Sequence, residues 1–94
     1  MVNTADMKRL IIKIASEEGI DPAIALAIAE QESGFNPNAR NKSSREDSLG
    51  MFQINTKAHP DYKGGYNPEA NTRYAVRMIK NLLQKTNGNI PQAM

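Results

Sequence analysis

Met7, Leu10, Ile11, Ile14 and Ala15 recur at i, i+3, i+4 and i+7 spacing, which predicts a first helix with a single apolar stripe. Asn3 or Thr4 is placed to cap its start and Gly19 to end it. Asp21-Pro22 then restarts a helix, with the aspartate as N-cap and the proline at the first helical position. From Ala23 to Ala29 every residue is apolar, so this second helix is expected to be buried on most sides before it reaches Glu30-Gln31-Glu32-Ser33 and a stop at Gly34. Asn67-Pro68-Glu69 opens a third helix by the same logic. Ala75, Met78, Ile79 and Leu82 form its stripe and Gly88 its stop. Between the second and third helices the chain is polar and rich in turn-formers. Residues 36–48 and 59–67 read as loops, the stretch from Leu49 to Asn55 is short and mixed, and no strand pattern stands out. Ile90-Pro91-Gln92-Ala93-Met94 reads as the first turn of a fourth helix that the chain does not continue, so a fragment of a longer protein is expected.

Ninety-four residues with 39% apolar side chains make one domain with one modest core, and 23% charged residues are ordinary for a folded chain. No apolar run approaches the ~18 residues of a membrane span. Nor does a basic stretch lead into an apolar one at the N-terminus, so no secretion signal is read. The absence of cysteine excludes a disulfide framework and thiolate metal sites, and a single histidine, His59, argues against a histidine-rich metal site. His59 reads as a loop residue rather than a catalyst. A net charge of +2 is too small to argue for nucleic acid. The Glu17-to-Asp21 link between two helices has the length of a helix-turn-helix, but Ala23 to Ala29 offers no polar group to a base edge. No metal, cofactor, nucleic-acid partner or membrane insertion is expected.

The chemistry-bearing feature is the pair of carboxylates closing the apolar second helix. Spacing alone does not choose between Glu30 and Glu32. Position favours Glu32, in the last turn beside Gly34 and a loop that a substrate can reach. Desolvation and the negative end of the helix dipole both raise a carboxyl pKa there, towards the range of a proton donor. The same two residues also read as a solvated helix end. In Gly50-Met51-Phe52-Gln53-Ile54-Asn55, the amides of Gln53 and Asn55 suit sugar hydroxyls and acetamides, and Met51 and Phe52 offer apolar surface; the bland alternative is a turn that fills the core. Tyr62 and Tyr66, in a glycine-containing loop, are candidates for stacking on sugar rings.

Taken in order, Glu32-Ser33-Gly34-Phe35-Asn36-Pro37, Gly50-Met51-Phe52-Gln53-Ile54-Asn55 and Asn67-Pro68-Glu69-Ala70-Asn71 resemble the catalytic domain of lytic transglycosylases of the soluble, goose-type-lysozyme-like group. The resemblance runs over about residues 5 to 94. The stretches Ser48-to-Asn55 and Ala58-to-Tyr62 also resemble cell-wall-degrading domains carried by phage tail proteins. The resemblance implies an all-α, small lysozyme-like helical domain acting on the extracytoplasmic wall, in a virion or after export. In it Glu32 matches the sole acid/base, Ser33 the neighbouring hydroxyl that contacts glycan, and Met51 and Gln53 the substrate-groove turn. Asn71 matches a helix-start asparagine; lying on the Ala75-Met78 stripe, it needs a buried hydrogen-bond partner. The family continues with a helix bearing a Tyr-Asn pair, and this chain stops about where that helix begins, so a C-terminally incomplete version is expected. The implied reaction cuts peptidoglycan between N-acetylmuramic acid and N-acetylglucosamine and leaves a 1,6-anhydro ring. Two further readings stay open: a non-catalytic glycan-binding or tail module on the same fold, and a lysozyme-type hydrolase with Glu46 or Asp47 as second carboxylate.

Overall fold

The computed structural model describes residues 3–85. Its elements are α1 (Thr4–Glu18), α2 (Pro22–Ser33), β1 (Arg40–Lys42), β2 (Asp47–Leu49), β3 (Ile54–Asn55) and α3 (Pro68–Lys85). The expected stop at Gly88 and the helical turn from Ile90 lie outside the described residues.

Each helix begins where side-chain capping begins it. Asn3 and Asp21 accept the main-chain N–H groups of Ala5 and Ala23 at 2.7 and 2.9 Å. The Asn67 side chain accepts from Ala70 N–H at 2.9 Å. Gly19 and Gly34 end α1 and α2 in the left-handed conformation, their N–H groups turned back onto the last carbonyls.

The central element is α1, which packs against both α2 and α3. Ile11, Ile14 and Ala15 from α1 meet Ala25 and Ala29 from α2 and Ala75, Val76 and Ile79 from α3, while Met51, Phe52 and Ile54 fill the remaining space from the segment between the helices. Against expectation, α2 is not buried on most sides. Only Ala25 and Ala29 are buried; Ile24, Leu26 and Ile28 are half-buried and Ala23 and Ala27 exposed. A chain this small has one layer to set against it, so an all-apolar helix keeps an outer face.

The second difference is a three-stranded antiparallel sheet in order β1-β2-β3, where the sequence reads as loop. The helical lysozyme-like domain therefore carries a small sheet and is not purely α. Arg40-Asn41-Lys42 and Asp47-Ser48-Leu49 contain no β-branched or aromatic residue, so the usual strand signal is missing. Pairing is supplied by other contacts. Ser43 N–H donates to Glu46 O at 2.7 Å to close the hairpin, Arg40 meets Asp47, and the Lys57 ammonium donates to the carbonyls of Ser43 and Ser44. The register opposes Asn41 to Ser48 and Ser48 to Asn55, which puts these three on one face.

Candidate active site

Glu32 sits in the last turn of α2 and is half-buried, whereas Glu30 is exposed. Burial raises the pKa of Glu32 above its ordinary value, and the negative charge of Glu46 adds to the rise. The structure thus separates two glutamates that periodicity could not.

The end of α2 is tied to the segment after β2. The Ser33 hydroxyl donates to Met51 O at 2.7 Å and accepts from Asn36 N–H at 3.1 Å. The hydroxyl expected to contact glycan beside Glu32 thus ties the helix end to the turn in this structure. Met51, expected as groove surface, has its side chain fully in the core. An apolar side chain facing a small core gains more from burial there than from lining a wet groove.

Gln53 has a positive φ of 52° and is buried. Its Nε2 donates to Gly50 O at 2.8 Å and Ala39 O at 3.1 Å, and its Oε1 accepts from Asn41 Nδ2 at 2.6 Å. Three protein bonds engage both ends of the amide. Asn55, likewise expected to meet sugar, accepts the N–H groups of Asp47 and Lys57 through Oδ1, both at 3.1 Å. Both residues thus hold the turn in shape.

Asn71, at the start of α3, finds the buried partners its place on the stripe requires. Its Oδ1 accepts Phe52 N–H at 2.8 Å; its Nδ2 donates to Leu49 O at 2.9 Å and Tyr62 Oη at 3.1 Å. It comes so close to Gly50 that a Cβ there would lie 2.5 Å from Asn71 Nδ2, and Gly50 has a φ of +81°. Both facts demand glycine. Tyr62, expected to stack on a sugar ring, is instead buried and donates to Gly65 O at 2.7 Å. Burial raises its pKa. The ring packs with its centroid 5.0 Å from that of Tyr74. The exposed loop aromatic is Tyr66.

The hairpin brings one carboxylate towards Glu32 and takes another away. Asp47 is gripped by Arg40, Nε to Oδ1 at 2.9 Å and Nη2 to Oδ2 at 3.1 Å, which holds its pKa below the usual range. Glu46 accepts the buried Ser48 hydroxyl and lies close enough to Glu32 to act on its titration. Of the two candidate second carboxylates, Glu46 is therefore the one whose charge bears on Glu32. Sequence alone could not tell them apart, because they are adjacent in a segment with no readable period.

A cleft of about 520 Å³ lies elsewhere, between the 61–64 loop and α3, with Tyr74, Arg73 and Met78 in its wall. None of its lining residues comes from α2 or the sheet. It was not foreseen, because it depends on how the 61–64 loop folds back over the helix that follows it.

No group of three or more histidine, cysteine, aspartate or glutamate side chains placed to hold a metal occurs among the described residues. No helix there is long and apolar enough to cross a membrane. No solved structure matches the chain. The family model described as "Transglycosylase SLT domain" matches residues 9–94, a span that takes in the Glu32 helix end, the 50–55 turn and the Asn71 helix start. The chain belongs to the transglycosylase SLT domain family.

Proposed function

We propose that this domain cuts the glycan strand of peptidoglycan between N-acetylmuramic acid and N-acetylglucosamine, with Glu32 as its one acid/base. The carrying observation is the half-buried carboxyl of Glu32, raised in pKa by desolvation at the end of a helix whose neighbouring serine fixes the facing turn. A carboxyl with a raised pKa holds its proton to higher pH and can give it to the glycosidic oxygen as the bond from the muramyl C1 breaks. The muramyl 6-hydroxyl then attacks C1 and returns its proton to the Glu32 carboxylate. The new C1–O6 bond closes a 1,6-anhydro ring, and the acid is regenerated. No water enters and no metal is called for. The substrate's acetamide steadies the positive charge at C1, so a single acid/base is enough where most glycosidases use two carboxyl groups.

The Ser33 hydroxyl, the Gln53 amide and Asn55 Oδ1 are engaged within the protein and the Met51 side chain lies in the core, so in this reading these residues support the groove from behind. The reaction takes place in the extracytoplasmic wall, and the likeness to phage tail domains favours a virion-borne enzyme.

The test is digestion of purified peptidoglycan followed by mass spectrometry. Anhydro-muramyl ends support the reading; reducing ends indicate a hydrolase, and intact glycan a binding module. Glu32→Gln should lower the rate by roughly 10²–10⁴-fold, on the scale of a lost general acid. Glu30→Gln should keep most of it, its side chain being exposed. Full activity in Glu32→Gln would refute the assignment.

A further inference from the structure

The cleft of about 520 Å³ beside α3 shares no lining residue with α2 or the sheet, and the reaction derived above makes no use of it. One side is a stripe of α3 from Ala70 through Tyr74 and Arg77 to Asn81. At about 1.5 Å per residue that stripe is roughly 16 Å long. The other side is the 61–64 loop, which the protein itself holds in place. The Tyr74 hydroxyl donates to Asp61 Oδ1 at 2.9 Å. The Tyr62 ring packs on that of Tyr74, and the Tyr62 hydroxyl is engaged by Gly65 O and Asn71 Nδ2. A Cβ on Gly64 would lie 2.7 Å from Ala70 Cβ and from Tyr62 Oη, so the loop is pressed directly onto the helix. The cleft is therefore pre-formed, and its volume is in the range of ligand sites.

We propose that this cleft binds a short wall peptide ending in a free carboxylate, with Lys63 and Arg77 on the carboxylate and Asp61 on the peptide's N–H or ammonium groups. The inference rests on the reading of the domain as a peptidoglycan enzyme, since the strands of that polymer carry such stem peptides. The cleft gives the domain a hold on the wall that is separate from the acid.

The groups left unengaged in the cleft decide what it takes. Arg73 is occupied by Glu17 and Glu18. Arg77 uses only its Nε, on Glu18. Among the described residues, the terminal nitrogens of Arg77, the Lys63 ammonium and the Asn81 amide have no partner. Asp61 has one oxygen on the Tyr74 hydroxyl and the other free. A terminal carboxylate is the planar acceptor that a guanidinium and an ammonium hold together. Asp61 in turn accepts from the peptide's own donors, and Met78 and Ala70 offer apolar surface to small side chains. A peptide thus answers both signs of charge. A phosphate polymer brings acceptors alone and sets them against Asp61, while a neutral sugar chain brings no charge for Lys63. Tyr62 and His59 already pack on the Tyr74 ring, which makes it a wall rather than a stacking platform. Four extended residues reach about 13 Å, within the length of the stripe.

The probe is a synthetic stem tetrapeptide with free carboxyl groups, titrated into the full chain and followed by amide NMR and calorimetry. Shifts should concentrate on residues 61–64 and 70–81 and leave the Glu32 helix end unmoved. Lys63→Gln, at an exposed position, should weaken the tetrapeptide about fivefold, the scale of an exposed ion pair, and Lys63→Glu more. Amidating the carboxyl groups of the peptide should weaken it at least as much. Raising ionic strength should do the same in wild type, which reads the charge contribution without any substitution. The proposal is overturned if the tetrapeptide leaves residues 61–64 and 70–81 unmoved, or if amidation and salt change nothing. It is equally overturned if a peptide-free glycan or a glycerol phosphate polymer moves those residues and the tetrapeptide does not. No glycan is cut in this experiment, so its outcome is independent of Glu32. Intact glycan on digestion together with a bound tetrapeptide counts against the cleavage reading alone; cut glycan with no bound tetrapeptide counts against this one alone.

Discussion

At the scale of single residues, the two buried or half-buried polar groups that matter most have opposite effects on stability. Glu32 has a folded-state pKa above its unfolded value. Its contribution to stability is full below the unfolded value and is lost as pH rises through the folded one. Above the folded pKa the ionised carboxylate is a net cost, so Glu32→Gln should gain stability relative to wild type as pH rises through that value while losing activity; thermal melts across pH check this. A Glu32 that served a structural ion pair would show a mutant deficit at neutral pH instead. Asn71 is the contrary case. Asn71→Ala would leave Phe52 N–H buried without its partner, remove the second donor to Leu49 O and the Tyr62 contact, and open a gap beside Gly50. Expected destabilisation is about 3 kcal/mol, on the scale of orphaned buried polar groups, measured by denaturant unfolding. The need for a partner at Asn71 was readable, because a polar residue on an apolar stripe must be satisfied. That the partners would be the backbone of the 49–52 turn was not, since nothing in the sequence brings those segments together.

At the scale of elements, the helices were legible and the sheet was not, for a physical reason. Helix limits are written in local chemistry: Asn3, Asp21 and Asn67 at the starts, Gly19 and Gly34 at the ends, Pro22 and Pro68 at first positions. The strands are held by contacts that span the hairpin, Arg40 to Asp47 and Lys57 to Ser43 and Ser44, which no short window contains. The same limit hid the work of Gln53 and Tyr62, whose types suggested ligand contact and whose partners are in the protein. Ser33 decides between the two kinds of role. If its hydroxyl joins α2 to the turn through Met51 O, Ser33→Ala lets Glu32 drift relative to the groove. The expected result is a lower kcat with KM little changed and about 1 kcal/mol of stability lost. A hydroxyl that binds glycan directly would show its loss chiefly in KM, so steady-state kinetics on a soluble glycan separates the two.

At the scale of the molecule, the acid and the main ion-pair cluster lie at opposite ends of α1. The chain turns back at Gly19, so the end of α2 returns towards the start of α1, where Lys8 lies over Phe35. At the other end Arg73 pairs with Glu17 and Glu18 at 2.9 and 3.1 Å, and Arg77 with Glu18 at 3.2 Å, clasping α3 to α1. Fifteen residues of helix put roughly 20 Å between the two ends. Hydrogen bonding to Arg77, and then Arg73, holds the Glu18 pKa below its usual value. Its contribution is therefore present above the unfolded pKa and lost as pH falls through the folded one, the reverse of Glu32. Acid thus favours the protonated catalyst while it releases the clasp. Arg73→Met should lower the melting temperature at neutral pH and low salt, and the deficit should shrink both in acid and at high ionic strength. Because the clasp is remote from Glu32 and shares no partner with it, the alkaline limb of cleavage by Arg73→Met should coincide with that of wild type. Melts across pH and salt, together with the pH–rate profile of the same variant, check both halves. A shifted limb in Arg73→Met would mean that the two ends of α1 are coupled and that the fold does not insulate its acid from its clasp.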